Sequence, residues 1–88
     1  MNIRFKKQFL KDLQKLPIPK LKADAGAIVQ AVKAASSLNE LANIIKLQGY
    51  ATAYRVRVGD YRIGIVLEGD EVVFARVAHR RDIYRLFP

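Results

Sequence analysis

Near Gly49 the spacing of apolar residues changes from about 3.6 to 2, and this switch restricts the chain to helices first and strands second. Before the switch, Phe5, Phe9, Leu13 and Leu16 recur at helical spacing, with lysines on the other side. Pro17-Ile18-Pro19 ends that helix, because proline lacks a backbone donor and restricts the residue before it. Leu21, Ala25, Ile28, Val32 and Ala35 then mark a second helix, closed by Ser36-Ser37-Leu38-Asn39. After the switch, Val56, Val58, Tyr61, Ile63, Ile65 and Leu67 alternate with polar or small residues. Gly59-Asp60 and Gly69-Asp70 sit between such runs as the two-residue loops of tight hairpins do. Strands are expected at about 53–58, 61–68 and 71–79. A short first strand is expected at 2–5, and residues 39–46 make either one helical turn or an extended link. The predicted fold is α+β: a short N-terminal strand and a two-helix hairpin packed on a three- to four-stranded antiparallel sheet.

At 88 residues the chain is one domain, residues 1–88, with a single core to supply its stability. Half of the residues are apolar, enough to fold. The absence of cysteine excludes disulfides, thiolate zinc sites and cysteine nucleophiles. No apolar run reaches the roughly 18 residues of a membrane span, and Met1 to Lys7 lacks the apolar segment of a secretory signal, so a soluble, cytoplasmic protein with no membrane partner is expected. A formal charge of +8 and a pI near 10.1 favour a polyanionic partner.

The basic residues are segregated. All eight lysines lie at or before position 46, and seven of eight arginines lie beyond position 54. Arginine offers a planar, permanently charged fork that matches a phosphate, whereas lysine is a flexible point charge. Through the Gly59-Asp60 loop, Arg57 faces Arg62. The same bookkeeping through Gly69-Asp70 pairs Arg62 with Val77 and puts His79 on the face of Arg55, Arg57 and Arg62. Tyr54, Val56, Val58, Ile63, Ile65, Leu67, Val72 and Phe74 take the face that receives the helices. Arg76 counts onto that apolar face, as a structural ion-pair or edge residue. Glu68, Glu71, Asp60 and Asp82 are the carboxylates that would neutralise the arginines if these were only a solvated surface.

Arginine is not a base at neutral pH, so its role in such a patch is to bind phosphate and to stabilise the added charge of a phosphorane. His79, the only histidine, has the side chain that would take a proton from a ribose 2′-hydroxyl and yield a cyclic phosphate without a metal. Tyr84 would stack on a base or orient the phosphate, or else belong to the apolar packing of the Ile83-Tyr84-Arg85-Leu86-Phe87 run. The carboxylates are scattered and form no ligand pattern with His79, so neither a metal nor another cofactor is expected. Glycine-rich phosphate loops and serine triads are absent.

The blocks Phe9-Leu10-Lys11-Asp12-Leu13, Lys46-Leu47-Gln48-Gly49-Tyr50, Tyr54-Arg55-Val56-Arg57-Val58-Gly59-Asp60-Tyr61-Arg62 and His79-Arg80-Arg81-Asp82-Ile83-Tyr84 occur in this order. The chain resembles, over essentially its whole length, the RelE toxins of the RelE/ParE toxin–antitoxin superfamily. The resemblance implies a toxin that enters the ribosomal A site and cleaves mRNA there, paired with a cognate RelB-like, acidic antitoxin. Carried over residue by residue, the family's basic pair matches Arg55 and Arg57, its transition-state arginine matches Arg62, and its C-terminal tyrosine matches Tyr84. The remaining basic residue before that tyrosine corresponds to His79, Arg80 or Arg81. Arg57, Arg62, His79, Arg81 and Tyr84 are thus the candidate catalytic residues, and Arg55, Arg80 and Lys46 the candidate RNA-binding ones. Some relatives carry lysine where this chain has Arg55 and Arg57, and arginine is the poorer base. Two other readings share the scaffold: a ParE-like toxin that inhibits DNA gyrase without nuclease activity, and an RNA-binding module without catalysis.

Overall fold

A computed structural model describes all 88 residues, Met1–Pro88. The chain runs β1 (Asn2–Phe5), α1 (Lys7–Gln14), α2 (Pro19–Ala34), a 3-10 turn (Leu38–Glu40), β2 (Ile44–Lys46), β3 (Ala53–Val58), β4 (Tyr61–Glu68), β5 (Glu71–His79) and α3 (Ile83–Leu86). The strands form one five-stranded sheet in the order β1-β5-β4-β3-β2. The expected antiparallel meander of β3, β4 and β5 is present with the expected bounds. Two additions correct the expected sheet. β1 joins at one edge, parallel to β5, and β2 joins at the other, so the sheet has five strands and is mixed. Residues 38–46 supply both of the forms considered for them, a 3-10 turn and then a strand.

The local reasons are plain. Pro19 opens α2 at its first helical position, where a missing N–H costs nothing. Past α2, Ser37 Oγ accepts from the Asn39 N–H at 3.2 Å, and Glu40 Oε2 accepts from the N–H groups of Ser36 and Ser37 at 2.7 and 2.9 Å. These bonds satisfy the donors of the 3-10 turn and aim the chain toward β2. Gly59 and Gly69 hold φ of +58° and +63° at the first loop position of their hairpins, which an L side chain resists.

The helices cover one face of the sheet. Phe9, Ala25 and Val32 from the helices and Leu16 from the link between them meet Val56, Val58, Ile63, Ile65, Val72, Phe74 and Val77 from the strands. Phe5, Phe9 and Phe74 form an aromatic triangle with ring centroids 5.4 to 5.8 Å apart, which ties β1 and α1 to β5.

Beyond Phe74 the register differs from simple alternation. Ile65 pairs with Phe74 but Gly64 pairs with Arg76, so Ala75 is an extra residue, a β-bulge. From there on β5 is turned by one residue. Val77 lies opposite Ile63 and faces the helices, and Arg62 pairs with Ala78, not with Val77 as a loop count gives. His79 lies opposite Tyr61, on the helix-covered side, which corrects its expected place beside Arg62. Arg76 is likewise shifted, into the row of Gly64 on the other face, yet it is the expected structural ion pair. Its Nε lies 2.7 Å and its Nη2 3.3 Å from the Asp12 carboxylate of α1.

Asp12 also accepts from the Val77 N–H at 3.2 Å, on the stretch of β5 that has outrun β1. A single carboxylate thereby closes an otherwise open strand edge. Burial by itself would raise the Asp12 carboxyl. The hydrogen bonds from Arg76, Gln8 and Val77 together outweigh it and hold the group below its ordinary value.

Candidate nucleic-acid interface

The second face of the sheet divides into an apolar part and a charged part. Ile83 and Phe87 fold back onto Ala53 and Ala75, with Leu47, Val66 and Ala78 around them, and make a second, smaller core. This face is therefore not an open one, as expected, but half covered by α3 and the residue that follows it. The seat of Phe87 is Gly64: a Cβ at position 64 would stand 2.5 to 2.8 Å from three carbons of the Phe87 ring. An isolated glycine inside a strand pattern signals such a close approach, and that signal was present in the sequence. Of the two alternatives for the C-terminal run, apolar packing holds for Ile83 and Phe87 but not for Tyr84. Ile83 and Phe87 are buried, while Tyr84, between them in sequence, is 57% exposed.

Beside this small core stands the arginine row. Arg57 is directly opposite Arg62, and Arg55 is opposite Gly64. Arg62 Nη1 donates to the carbonyls of Gly59 and Tyr61, both at 2.9 Å. That grip fixes the side chain over the hairpin and leaves its Nε and Nη2 donors without a protein acceptor. The Arg62 guanidinium is pushed below its ordinary value, first by burial and then by the charges of Arg55, Arg57 and Arg80, with Tyr84 acting in the opposite sense. It remains a cation at neutral pH. The same balance places Arg80 and Tyr84 within electrostatic reach of Arg62. Arg80 is anchored by its backbone, whose N–H donates to the Asp60 carbonyl at 2.7 Å.

None of the carboxylates expected to neutralise this row does so. Glu68 and Glu71 bind Arg4, at 3.1 and 2.9 Å, and Asp82 binds Arg85 at 3.1 Å. Arg4, Arg76 and Arg85 are thus paired with carboxylates, whereas Arg55, Arg57, Arg62, Arg80 and Arg81 form no salt bridge.

The remaining candidates stand apart from the row. His79 packs edge-on against Tyr61, with ring centroids 5.4 Å apart, and its Nδ1 accepts from the Arg81 N–H at 3.2 Å. Arg81 is exposed on the turn after β5. Lys46 is opposite Tyr54, and so belongs to the helix-side register of β2. Nowhere do three His, Asp or Glu side chains converge as a metal site. No helix is long and apolar enough to cross a membrane.

With this geometry in view, the chain can be set against known proteins. Residues 3–84 match the family described as the ParE toxin of type II toxin–antitoxin systems. The chain is 43% identical over 89 residues to Toxin RelE3 of Methanocaldococcus jannaschii, covering all of both sequences. It is 33% identical to Putative toxin RelE1 of the same organism, over 92% of this chain and 90% of that one. Its fold superposes on a RelB-RelE antitoxin-toxin complex from Methanococcus jannaschii with a TM-score of 0.82, at 41% identity, covering 97% of this chain and 99% of that one. The five-stranded α+β fold, the match along nearly the whole sequence and the identity to named RelE proteins agree: the chain belongs to the ParE toxin family of type II toxin–antitoxin systems, as a RelE-type toxin.

Proposed function

We propose that this toxin is an endoribonuclease that cleaves mRNA in the ribosomal A site, and that Arg55, Arg57, Arg62 and Arg80, with Tyr84, bind and activate the scissile phosphate. The observation that carries the reading is the row of arginines with no carboxylate partner, in a chain where Arg4, Arg76 and Arg85 each have one. Two guanidinium groups held side by side without a counter-ion repel, and an inserted phosphate removes that repulsion.

In the reaction, the ribose 2′-oxygen attacks the adjacent phosphorus. The bond to the 5′-oxygen breaks, leaving a 2′,3′-cyclic phosphate and a 5′-hydroxyl. The phosphorane gains negative charge, which the free Nε and Nη2 donors of Arg62 and its arginine neighbours stabilise without help from a metal. Tyr84 carries a phenolic O–H and is the member of the patch able to hand a proton to the departing 5′-oxygen. The arginines cannot take the 2′-hydroxyl proton, and His79 sits on the other face of the sheet, so that proton passes to solvent water, which also returns one to Tyr84, and the rate rests on positioning and charge. The ribosome supplies such positioning by holding the mRNA in an attack-ready geometry. The isolated protein is accordingly a poor nuclease on free RNA. Its antitoxin is a RelB-like protein, as in the solved relatives, with acidic character to match a charge of +8.

The test is cleavage of a defined mRNA on ribosomes stalled with an empty A site, with both new ends mapped, in the presence of chelator. Cuts inside the A-site codon are expected, with Arg62→Ala slower by about 10²- to 10³-fold, the usual loss for one transition-state donor. Equal cleavage of free and ribosome-bound RNA would sink the positioning argument. Growth inhibition without any cleavage, unaltered in Arg62→Ala, would favour the gyrase-type alternative.

A further inference from the structure

His79 is separated from the arginine row by the sheet, yet it closes the turn on which the C-terminal part of that row stands. Its carbonyl accepts from the Asp82 N–H at 2.8 Å, and its ring Nδ1 accepts from the Arg81 N–H at 3.2 Å. Arg80 lies inside this 79–82 turn, and Tyr84 lies on the short helix that follows it. A side-chain acceptor that takes the N–H two residues on is the bond that asparagine and aspartate make in an Asx turn, here formed by an imidazole. The ring is oriented from β4. Tyr61 is paired with His79 across the ladder and meets it edge-on, with centroids 5.4 Å apart.

The turn has a repulsion to resist. Arg80 has no salt bridge and stands within electrostatic reach of Arg62, so the two charges push the turn away from the β3–β4 hairpin. Two bonds oppose that push: the Arg80 N–H donates to the Asp60 carbonyl at 2.7 Å, and the Arg81 N–H donates to the His79 ring. Tyr61 serves both partners. Its carbonyl accepts from Arg62 Nη1 at 2.9 Å, and its ring steadies the imidazole. Arg62 and the turn that bears Arg80 are thereby tied to one point of the sheet.

The ring bond requires an unprotonated Nδ1, because an imidazolium donates from both nitrogens. The charged and titratable groups around the ring are Tyr61 from β4, Asp60 from the β3–β4 loop, and Arg80, Arg81 and Asp82 from its own turn. Lys20 and Asp24 of α2 share a hollow with Tyr61 and Asp60. Asp24 is held by Lys20 and Asp82 by Arg85, and no carboxylate forms a salt bridge with the imidazole.

Resting on the nuclease reading above, we infer that His79 is a positioning residue of this toxin: its unprotonated Nδ1 locks the 79–82 turn so that Arg80 stands beside Arg62 at the scissile phosphate. The imidazole does not meet the RNA. What the site needs from position 79 is an acceptor where Nδ1 lies, not a base.

Three substitutions separate those two needs. In His79→Asn the amide Oδ1 takes the place of Nδ1, in His79→Gln the amide reaches instead to the place of Nε2, and His79→Ala has no acceptor. Single-turnover cleavage is measured on stalled ribosomes over a range of toxin concentrations for these, the wild type and Arg62→Ala. His79→Ala and His79→Gln are expected to lower the saturating rate by about tenfold to a hundredfold, the cost of misplaced groups, with the half-saturating concentration little changed; His79→Asn restores the rate. As pH falls, the wild type slows relative to His79→Asn, with the midpoint at which the His79 ring and the Arg81 amide titrate together by NMR. If folded His79→Asn is as slow as His79→Ala, or if all three cut at the wild-type rate while Arg62→Ala is slow, the positioning role is overturned and the nuclease stands. An Arg81 amide that ignores the titration of the ring overturns it equally, without any variant. If the wild type cuts nothing, the nuclease reading fails, and the lock is judged on the free protein by amide exchange. Protection of the Arg81 N–H in the wild type and His79→Asn but not in His79→Gln upholds it, and equal exchange in all three overturns it.

Discussion

Gly64→Ala isolates the contact that fastens the C-terminal segment to the sheet. The glycine is not in the left-handed region, so alanine suits its backbone and by itself would stabilise the chain by about 0.4–1 kcal/mol through the unfolded state. The obstacle is the Phe87 ring, 2.5 to 2.8 Å from the new methyl, and 4% exposed in its seat. Either the ring stays and the core is overpacked, at about 1–3 kcal/mol, or the ring leaves and forfeits the burial of a phenylalanine, about 1.5–3 kcal/mol. The two routes cost about the same, and after the backbone gain is subtracted the net loss is about 1.5 kcal/mol, a fall in Tm of about 6–12 °C for a domain of this size. The decisive assay is a double-mutant cycle by denaturant or thermal unfolding, with Phe87→Ala as the second change. Once the ring is gone, the three close contacts that oppose the alanine at 64 go with it, so the effects are non-additive by more than 1 kcal/mol. Additivity within about 0.5 kcal/mol would refute the argument. Because Tyr84 rides on the short helix that Phe87 follows, the nuclease reading also expects Gly64→Ala to cut slowly on ribosomes while still folded.

Two further outcomes follow from the charges. Asp12→Asn should destabilise by about 2–3 kcal/mol, since it removes the counter-ion of a guanidinium only 24% exposed and weakens the acceptor of the Val77 N–H. The Asp12 carboxyl is depressed in the folded state, so its contribution is complete above its unfolded value of 3.8 and is lost as pH falls through the lower folded value; urea titrations of wild type and Asp12→Asn should therefore converge in acid, and a gap unchanged at low pH would contradict the assignment. Arg57→Thr removes a like charge from across Arg62 and should stabilise the protein by a few tenths to about 1 kcal/mol at low salt while weakening single-stranded RNA binding. In a plot of log affinity against log salt, the wild-type slope should be about −3 for four phosphate contacts, and Arg57→Thr should flatten it by about 0.7.

Periodicity made the meander and both helices legible, because one buried face imposes period 2 on strands and 3.6 on helices. The turn glycines fixed the Arg57/Arg62 register, a relation set by two residues of loop. What escaped were features settled by long-range contacts. β1 pairs in parallel with β5 across some seventy residues of sequence, with no local turn to announce it. The bulge at Ala75 places Arg76 for Asp12 on a distant helix and moves Val77 into the core, and no nearby residue type demands it. That one extra residue also carried His79 to the wrong face in a count that was sound up to Phe74. The facing of Lys46 was not legible for a related reason: that of its three-residue strand depends on pairing with β3, not on its own pattern. The second core under α3 had a readable sign in Gly64, but its partner Phe87 lies in a run too short to show a period.

The distribution of carboxylates explains how a strongly basic protein folds without surrendering its site. Asp12 holds Arg76, Glu68 and Glu71 hold Arg4, and Asp82 holds Arg85. Asp24 joins Lys20 along α2, and Glu40 serves backbone donors. Six of the eight carboxylates are thus committed to structural cations or to a turn, and the other two, Asp60 and Asp70, sit in hairpin loops. The arginine row is left to repel itself at a modest cost in stability, which the two cores on either side of the sheet can bear. Such a row is relieved by any polyanion that fits it. On the reading proposed here, that places mRNA and an acidic antitoxin in competition for one unmet demand: an antitoxin need not reach the scissile bond to silence the toxin, only supply the carboxylates that this chain has spent elsewhere.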